Sequence, residues 1–349
     1  MAPRRPGVQA PASPASVAIM RIDELTTPAL IVEQAVLDAN LDAMSAALPG
    51  PRLRPHVKAH KCTALAHRQR GNGHAGFTCA TIRECEVMFA AGLGEDLLLA
   101  NEVLDARRLG ALVRDGARVT VAVDSSETIA AAAAGGVREV LIDVNVGLPR
   151  CGCPPERAGE LAGEARRSGL EVRGVMGYEG HLMLVADPAD RARMTGEAMA
   201  LLVAAAAEVG GELISAGGTG TYADNTWATE IQAGSYALMD TAYGAVGQPF
   251  GQALSVLGTI VSVAPTHAVV DVGLKSLGMD HGLPAIPGAQ VWFCSDEHTS
   301  FAPEEPVRVG DRVRVLPAHV DPTVVLHEQM HVVDGDRVVE TWGVDMRGW

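Results

Sequence analysis

From residue 28 onward, short apolar runs alternate with longer segments whose apolar positions recur at helical spacing. The first run, ALIVE (29–33), leads into a stretch with Leu37, Leu41, Met44 and Leu48 on one helical face. Strand-like runs then follow at LRPHVK (53–58), GFTCAT (76–81), DLLLAN (96–101), RVTVAVD (118–124), EVLIDVN (139–145), VRGVMGY (172–178), ELISAGG (212–218) and EIQAGSYA (230–237). The segments between them are rich in Ala, Leu and Glu. Strands alternating with helices predict a parallel sheet. Eight such units predict an α/β fold of the (β/α)8 barrel type.

After about residue 253 the pattern changes. LGTIVSVA (257–264), HAVVDVG, AQVWFC, DRVRVLPAH, TVVLHE, MHVV and DRVVETW are short and β-branched, separated by Pro, Gly and Asp turns. They predict an all-β C-terminal domain over 254–349 behind a barrel over 20–253, with the segment 20–33 free to pack against the second domain. Residues 1–19 are rich in Pro, Ala and Ser without periodicity and predict a disordered tail.

Composition narrows the function. Apolar residues make up 48% and charged residues 20%, which excludes wholesale disorder and collagen-like or coiled-coil architecture. The net charge is −14, from 28 basic and 42 acidic residues. Basic residues cluster only at Arg4-Arg5 and Arg52–Lys61, so nucleic-acid binding is not expected. No apolar run approaches the ~20 residues of a membrane span. The six cysteines (Cys62, Cys79, Cys85, Cys151, Cys153, Cys294) carry no Cys-x-x-Cys spacing and read as reduced thiols of a cytoplasmic protein. Lysine is scarce: only Lys58, Lys61 and Lys275 occur.

Barrel enzymes place their chemistry at the C-terminal ends of the strands. Here those ends carry His56-x-Lys58, Thr81, Asn101, Asp124, Asp143 with Asn145 and nearby Arg150, Tyr178-Glu179-Gly180-His181, Gly217 to Tyr222, and Gly234-Ser235-Tyr236. Glycines and threonines after strands seven and eight suit a phosphate cradle. Period-two alternation puts His56 and Lys58 on one strand face. An amine directed into a barrel mouth can form a Schiff base, helped by a depressed pKa. A Schiff-base lysine opposite a phosphate cradle points to pyridoxal 5′-phosphate. A sugar-phosphate aldolase fits the same two features but leaves the β domain without a role.

Several segments are similar to the D-threonine aldolase and D-serine dehydratase family, fold-type III pyridoxal-phosphate enzymes with an alanine-racemase-like barrel. They are RPHVKAHK (54–61), GYEGHLM (177–183), GGTGTY (217–222), TEIQAGSYALMD (229–240) and VVDVGLKSLGMDHG (269–282). The resemblance runs from about residue 24 to the C-terminus. It implies that Lys58 holds the cofactor, that Arg150 lies beside the pyridine ring and Tyr178 close by, and that Gly218, Thr219, Gly220, Ser235 and Tyr236 bind the phosphate. It also implies a divalent metal on a His-x-Asp pair, here His319 and Asp321, followed by Pro322 and His327 as in the family. Histidine plus carboxylate suits Mn²⁺, with Zn²⁺ or Mg²⁺ as alternatives. His298, in Ser295-Asp296-Glu297-His298, is a further candidate to approach metal or substrate.

The implied activity is metal-assisted retro-aldol cleavage of D-3-hydroxy amino acids, D-threonine-like, to glycine and an aldehyde, by a homodimer. Two alternatives stand beside it. One is a dehydratase of D-serine or D-3-hydroxyaspartate on the same scaffold. The other is a non-catalytic pyridoxal-phosphate carrier, against which the β domain and its His-x-Asp pair argue.

Overall fold

A computed structural model describes residues 20–349; the expected tail over residues 1–19 lies outside the described residues. The strands in chain order are β1 (Ala29–Glu33), β2 (Phe77–Cys79), β3 (Leu97–Leu99), β4 (Val119–Val123), β5 (Glu139–Asp143), β6 (Glu171–Gly177), β7 (Leu213–Ala216), β8 (Glu230–Ile231), β9 (Leu254–Val263), β10 (Ala268–Val270), β11 (Ala289–Cys294), β12 (Thr299–Pro303), β13 (Arg312–Val315), β14 (Gln329–Asp334) and β15 (Arg337–Gly343). The helices are α1 (Gln34–Ala47), α2 (Thr63–Gly71), α3 (Ile82–Ala90), α4 (Arg107–Arg114), α5 (Ser126–Gly135), α6 (Ala158–Arg167), α7 (Pro188–Val209), α8 (Thr241–Ala245) and α9 (Val320–Val325).

Strands β2 to β8 pair in sequential order and in parallel. The expected first strand is not a continuous one. Its residues 53–56 nevertheless close the ring between β8 and β2. The Arg54 amide donates to the Ile231 carbonyl at 2.9 Å, His56 to Ala233 at 3.1 Å, and Thr78 to Pro55 at 2.9 Å. Proline at 55 has no amide to donate, which limits the ladder at this point. The chain then turns into a 3₁₀ turn at Val57–Ala59. The barrel is therefore eight-fold, with its interior filled by continuous apolar strands such as VTVAV of β4, buried at every position.

Local chemistry sets the helix starts. The Thr81 hydroxyl accepts from the Glu84 amide while Glu84 reaches back to Thr81, a capping box that opens α3 just past β2. Asp187 caps α7 by accepting from Ala189 and Asp190, with Pro188 at the first helical position. The base of the barrel is closed by charge. Arg54 pairs with Asp96 and Glu230 at 2.8 Å each, and Arg173 pairs with Asp96 at 2.9 Å. Arg54, Arg173 and Glu230 are buried.

The second sheet runs β11-β12-β10-β9-β1-β14-β15, with β13 also paired to β9. Inside it lies β1, parallel to β14 and antiparallel to β9. The first folded strand of the chain thus belongs to the sheet built by the last residues. Among the described residues, no helix is long and apolar enough to cross a membrane.

Candidate active site

A cavity of about 380 Å³ opens at the C-terminal ends of the barrel strands, where the β domain meets them. It is lined by His56, Lys58, Arg150, Tyr178, Gly218, Thr219, Ser235, His319 and Asp321 among others. Expected residues from both domains therefore face one space, Gly220 and Tyr236 excepted.

Lys58 sits in the 3₁₀ turn, so the strand-face argument for His56 and Lys58 does not describe the backbone there. They still reach the same cavity, because the turn is held in place. The His56 ring nitrogen Nδ1 lies 3.5 Å from the Lys58 amide. Lys58 Nζ is 3.7 Å from Asp321 Oδ1. That carboxylate raises the amine's pKa, against the opposing effect of burial. The expected depression of the lysine is thus overturned, because a counter-charge from the β domain outweighs desolvation. Burial, followed by the charge of Lys58, holds His56 well below its ordinary value, so its ring is neutral.

The loop after β7 is shaped from beneath by Glu179, which is wholly buried. Its carboxylate accepts from the Gly217 amide at 3.2 Å, the Thr221 hydroxyl at 2.8 Å and Asn225 Nδ2 at 3.1 Å. A Cβ on Gly218 would stand 2.7 Å from Met183 Sδ, and one on Gly234 would stand 2.5 Å from the His56 carbonyl oxygen. Gly234 faces backbone and therefore requires glycine, whereas at Gly218 the Met183 side chain would have to move. Thr219 accepts from the Tyr236 amide at 3.0 Å. The Tyr236 hydroxyl points away from the cavity into the core, where Gln69 Nε2 donates to it at 3.0 Å. Gly220 packs on the Met183 backbone and, like Tyr236, does not line the cavity. Tyr243, absent from the sequence-based candidates, does line it.

Arg150 stands over the Tyr178 ring, 5.4 Å from its centroid, and among the described residues it has no carboxylate partner. Behind it the cavity wall carries Glu102 and Asp143. Burial and then the Glu102 charge push the Asp143 carboxyl well above its usual range. Glu102 Oε1 is buried without a hydrogen-bond partner. Burial pushes the neighbouring Cys151 thiol up to about 11 and Cys153 to about 12, so neither is a thiolate nucleophile. All six cysteines are free.

On the β-domain side, His319 precedes α9 and Asp321 lies in its first turn. His319 Nε2 is 3.7 Å from Asp321 Oδ2. The segment is registered against the barrel by buried Asp240, which accepts from the Tyr243 amide at 3.0 Å and the Val320 amide at 2.9 Å. His281 lies against His319, with centroids 3.9 Å apart and planes 5° apart. His298 is exposed and outside the cavity. Its turn carries backbone bonds instead, the Ser295 and Asp296 carbonyls accepting from Leu274 and Lys275 at 2.9 and 3.0 Å. His327 Nε2 lies 2.9 Å from the Ser276 carbonyl and His331 Nδ1 3.0 Å from the Thr341 hydroxyl, both outside the cavity.

Comparison with known proteins defines the class. Residues 32–242 match the alanine racemase N-terminal domain and residues 253–333 a serine dehydratase domain. The chain is 34% identical to a D-threonine aldolase from Arthrobacter over 95% of its length and 94% of the relative's. It is 33% identical to a 3-hydroxy-D-aspartate aldolase of Paracoccus denitrificans, covering 93% of each chain. The D-threonine aldolase structure from Filomicrobium marinum superposes with a TM-score of 0.89 at 33% identity, covering 96% of this chain and 99% of that one. A D-threo-3-hydroxyaspartate dehydratase variant, solved in the metal-free form, superposes at 0.85 with 25% identity, covering 95% and 100%. Fold and site together define a fold-type III pyridoxal-phosphate enzyme. The chain belongs to the D-threonine aldolase and D-serine dehydratase family and is a pyridoxal-phosphate-dependent lyase.

The residues present fit that cofactor. A primary amine and a glycine-walled loop face each other across one cavity, and a Cβ at Gly234 would strike the His56 backbone. They also fit a cation. Two donors each about 2.1 Å from one ion stand roughly 3–4 Å apart, and His319 Nε2 and Asp321 Oδ2 are 3.7 Å apart.

Proposed function

We propose that the protein cleaves D-3-hydroxy amino acids of the D-threonine type to glycine and an aldehyde, assisted by a divalent metal. The observation that carries this reading is the meeting of Lys58 and the His319–Asp321 pair, 3.7 Å apart across the seam between the domains. The amine that would hold the cofactor and the donors that would hold the metal thereby reach one substrate.

Pyridoxal phosphate, when bound, supplies the electron sink for the pair released as Cα–Cβ breaks. Gly217, Gly218, Thr219 and Ser235 would hold its phosphate. Lys58 Nζ would hold the cofactor and, when free of it, would be the acid that returns a proton to Cα. His319 and Asp321 would hold a cation against the substrate's β-hydroxyl, where a divalent ion lowers the pKa of a bound hydroxyl. A His and a carboxylate, with open positions for water, suit Mn²⁺ better than Zn²⁺. Arg150 keeps positive charge in the cavity, beside the Tyr178 ring.

Dehydration is the second reading, supported by the same amine: Lys58 could instead remove the Cα proton. Product analysis separates the two. D-threonine should yield glycine and acetaldehyde, EDTA should stop the reaction while leaving the cofactor bound, and Mn²⁺ should restore it. Pyruvate and ammonia from D-serine as the main products would select the dehydratase. D-threonine cleavage surviving complete metal removal would overturn the metal-assisted mechanism.

A further inference from the structure

Asp280 follows a loop of the β domain that no part of the mechanism above uses. Its Oδ2 accepts a hydrogen bond from His319 Nδ1 at 2.6 Å. A carboxylate can only accept, so the ring proton lies on Nδ1 and the Nε2 lone pair is left free. Nε2 is the nitrogen that faces Asp321. His281 is stacked flat against the face of the ring and leaves both ring nitrogens to their partners. We propose that Asp280 is a positioning residue for the metal pair, fixing the tautomer and rotation of His319 so that Nε2 meets a divalent cation jointly with Asp321. This inference rests on the reading of His319 and Asp321 as the metal donors.

The arrangement is that of a carboxylate–histidine–metal relay, in which the outer carboxylate orients the ring and raises its basicity. Without Asp280, the ring would exchange between tautomers, and the form with its proton on Nε2 cannot ligate. A competing arrangement is visible in the same atoms. Asp280, His281 and His319 offer three ligand atoms within 4.8 Å of one another, so the three could themselves be the donor set. Asp280 and His281 would then be direct ligands.

Mn²⁺ titration of the cofactor-loaded, metal-stripped enzyme, followed by the loss of the free-ion paramagnetic resonance signal, decides between these. Asp280→Ala should weaken Mn²⁺ binding by about tenfold or more, with cofactor absorbance and melting temperature unchanged. Asp280→Ser serves as a second truncation. Asp280→Asn, which keeps an acceptor oxygen, should recover part of the loss. His281→Ala should change affinity by no more than about twofold. Unchanged binding in both truncations would overturn the proposal. Equal losses in Asp280→Ala and His281→Ala would overturn it in favour of direct ligation. His319→Ala and Asp321→Ala are the controls: if they bind Mn²⁺ like the parent, the metal pair itself is misread, a failure distinct from that of Asp280.

Discussion

Lys58 and Lys61 are three residues apart and do opposite work. Lys58 faces the cavity, whereas Lys61 turns inward to pair with Glu84, which is fully buried and also receives the Ala80 and Thr81 amides. Lys61 adopts a left-handed backbone with φ of 46°, unusual for a residue with a side chain. Lys58→Ala should therefore abolish the borohydride-trappable cofactor adduct. Lys61→Met should keep the adduct but lose about 3 kcal/mol of stability, because it strands a buried carboxylate. Trapping on Lys61 or Lys275 instead would refute the assignment. Asp321→Cys should shift metal preference toward Zn²⁺, the thiolate being the softer donor, which competition between Mn²⁺ and Zn²⁺ would report.

Elements explain what the sequence could and could not show. Reading strand ends brought Lys58, Tyr178, Gly218, Thr219 and Ser235 to one cavity, because alternation and turn glycines are local signals. Glu179, Tyr243 and Asp280 escaped assignment although all but Tyr243 lie inside the quoted motifs. Glu179 and Asp280 act by hydrogen bonds to residues distant in sequence, and Tyr243 by its place in the cavity wall; no periodicity records either. Strand one was misjudged for a related reason. Its apolar alternation continues through Val57, yet the backbone turns there to present Lys58. The β domain is legible as a class, and the segment 20–33 reads as free to pack against it, but nothing in ALIVE tells between which strands β1 lies.

The element behind Lys58 makes a further prediction. His60 is buried against Gln69, which in turn donates to Tyr236. Burial holds its pKa down from 6.5 to about 4. The unfolded chain therefore binds a proton at His60 before the folded one does. Stability on this account is intact above pH 6.5 and falls by about 3 kcal/mol as pH drops to 4. Urea midpoints measured between pH 7 and 4 should fall less steeply in His60→Asn. Identical slopes in variant and parent would show that His60 does not titrate on unfolding.

At the scale of the whole molecule, the barrel is stapled at its two ends by different means. The functional end depends on the β domain. The opposite end depends on the Arg54–Asp96–Arg173–Glu230 network, which touches no site residue. Arg54→Met should leave Glu230 and Asp96 with one cation fewer and lower stability by about 3–5 kcal/mol. Cofactor content and Mn²⁺ affinity in the fraction that remains folded should match the parent. Lost cofactor binding in that fraction would show that the two ends are coupled.

The interior place of β1 in the second sheet also bears on biosynthesis. About 300 residues separate Glu33 from Gln329, where β14, the strand paired alongside it, begins. At roughly 5–20 residues per second, β1 leaves the ribosome some 15–60 s before that partner exists. Until β9 emerges an apolar strand, ALIV, carries two open hydrogen-bonding edges, and from then until β14 exists it carries one. The nascent barrel can close without it, but β1 must wait in a form that neither pairs with neighbouring chains nor is cut away. Chaperone demand and yield on expression should therefore respond to the speed at which the last third of the message is translated.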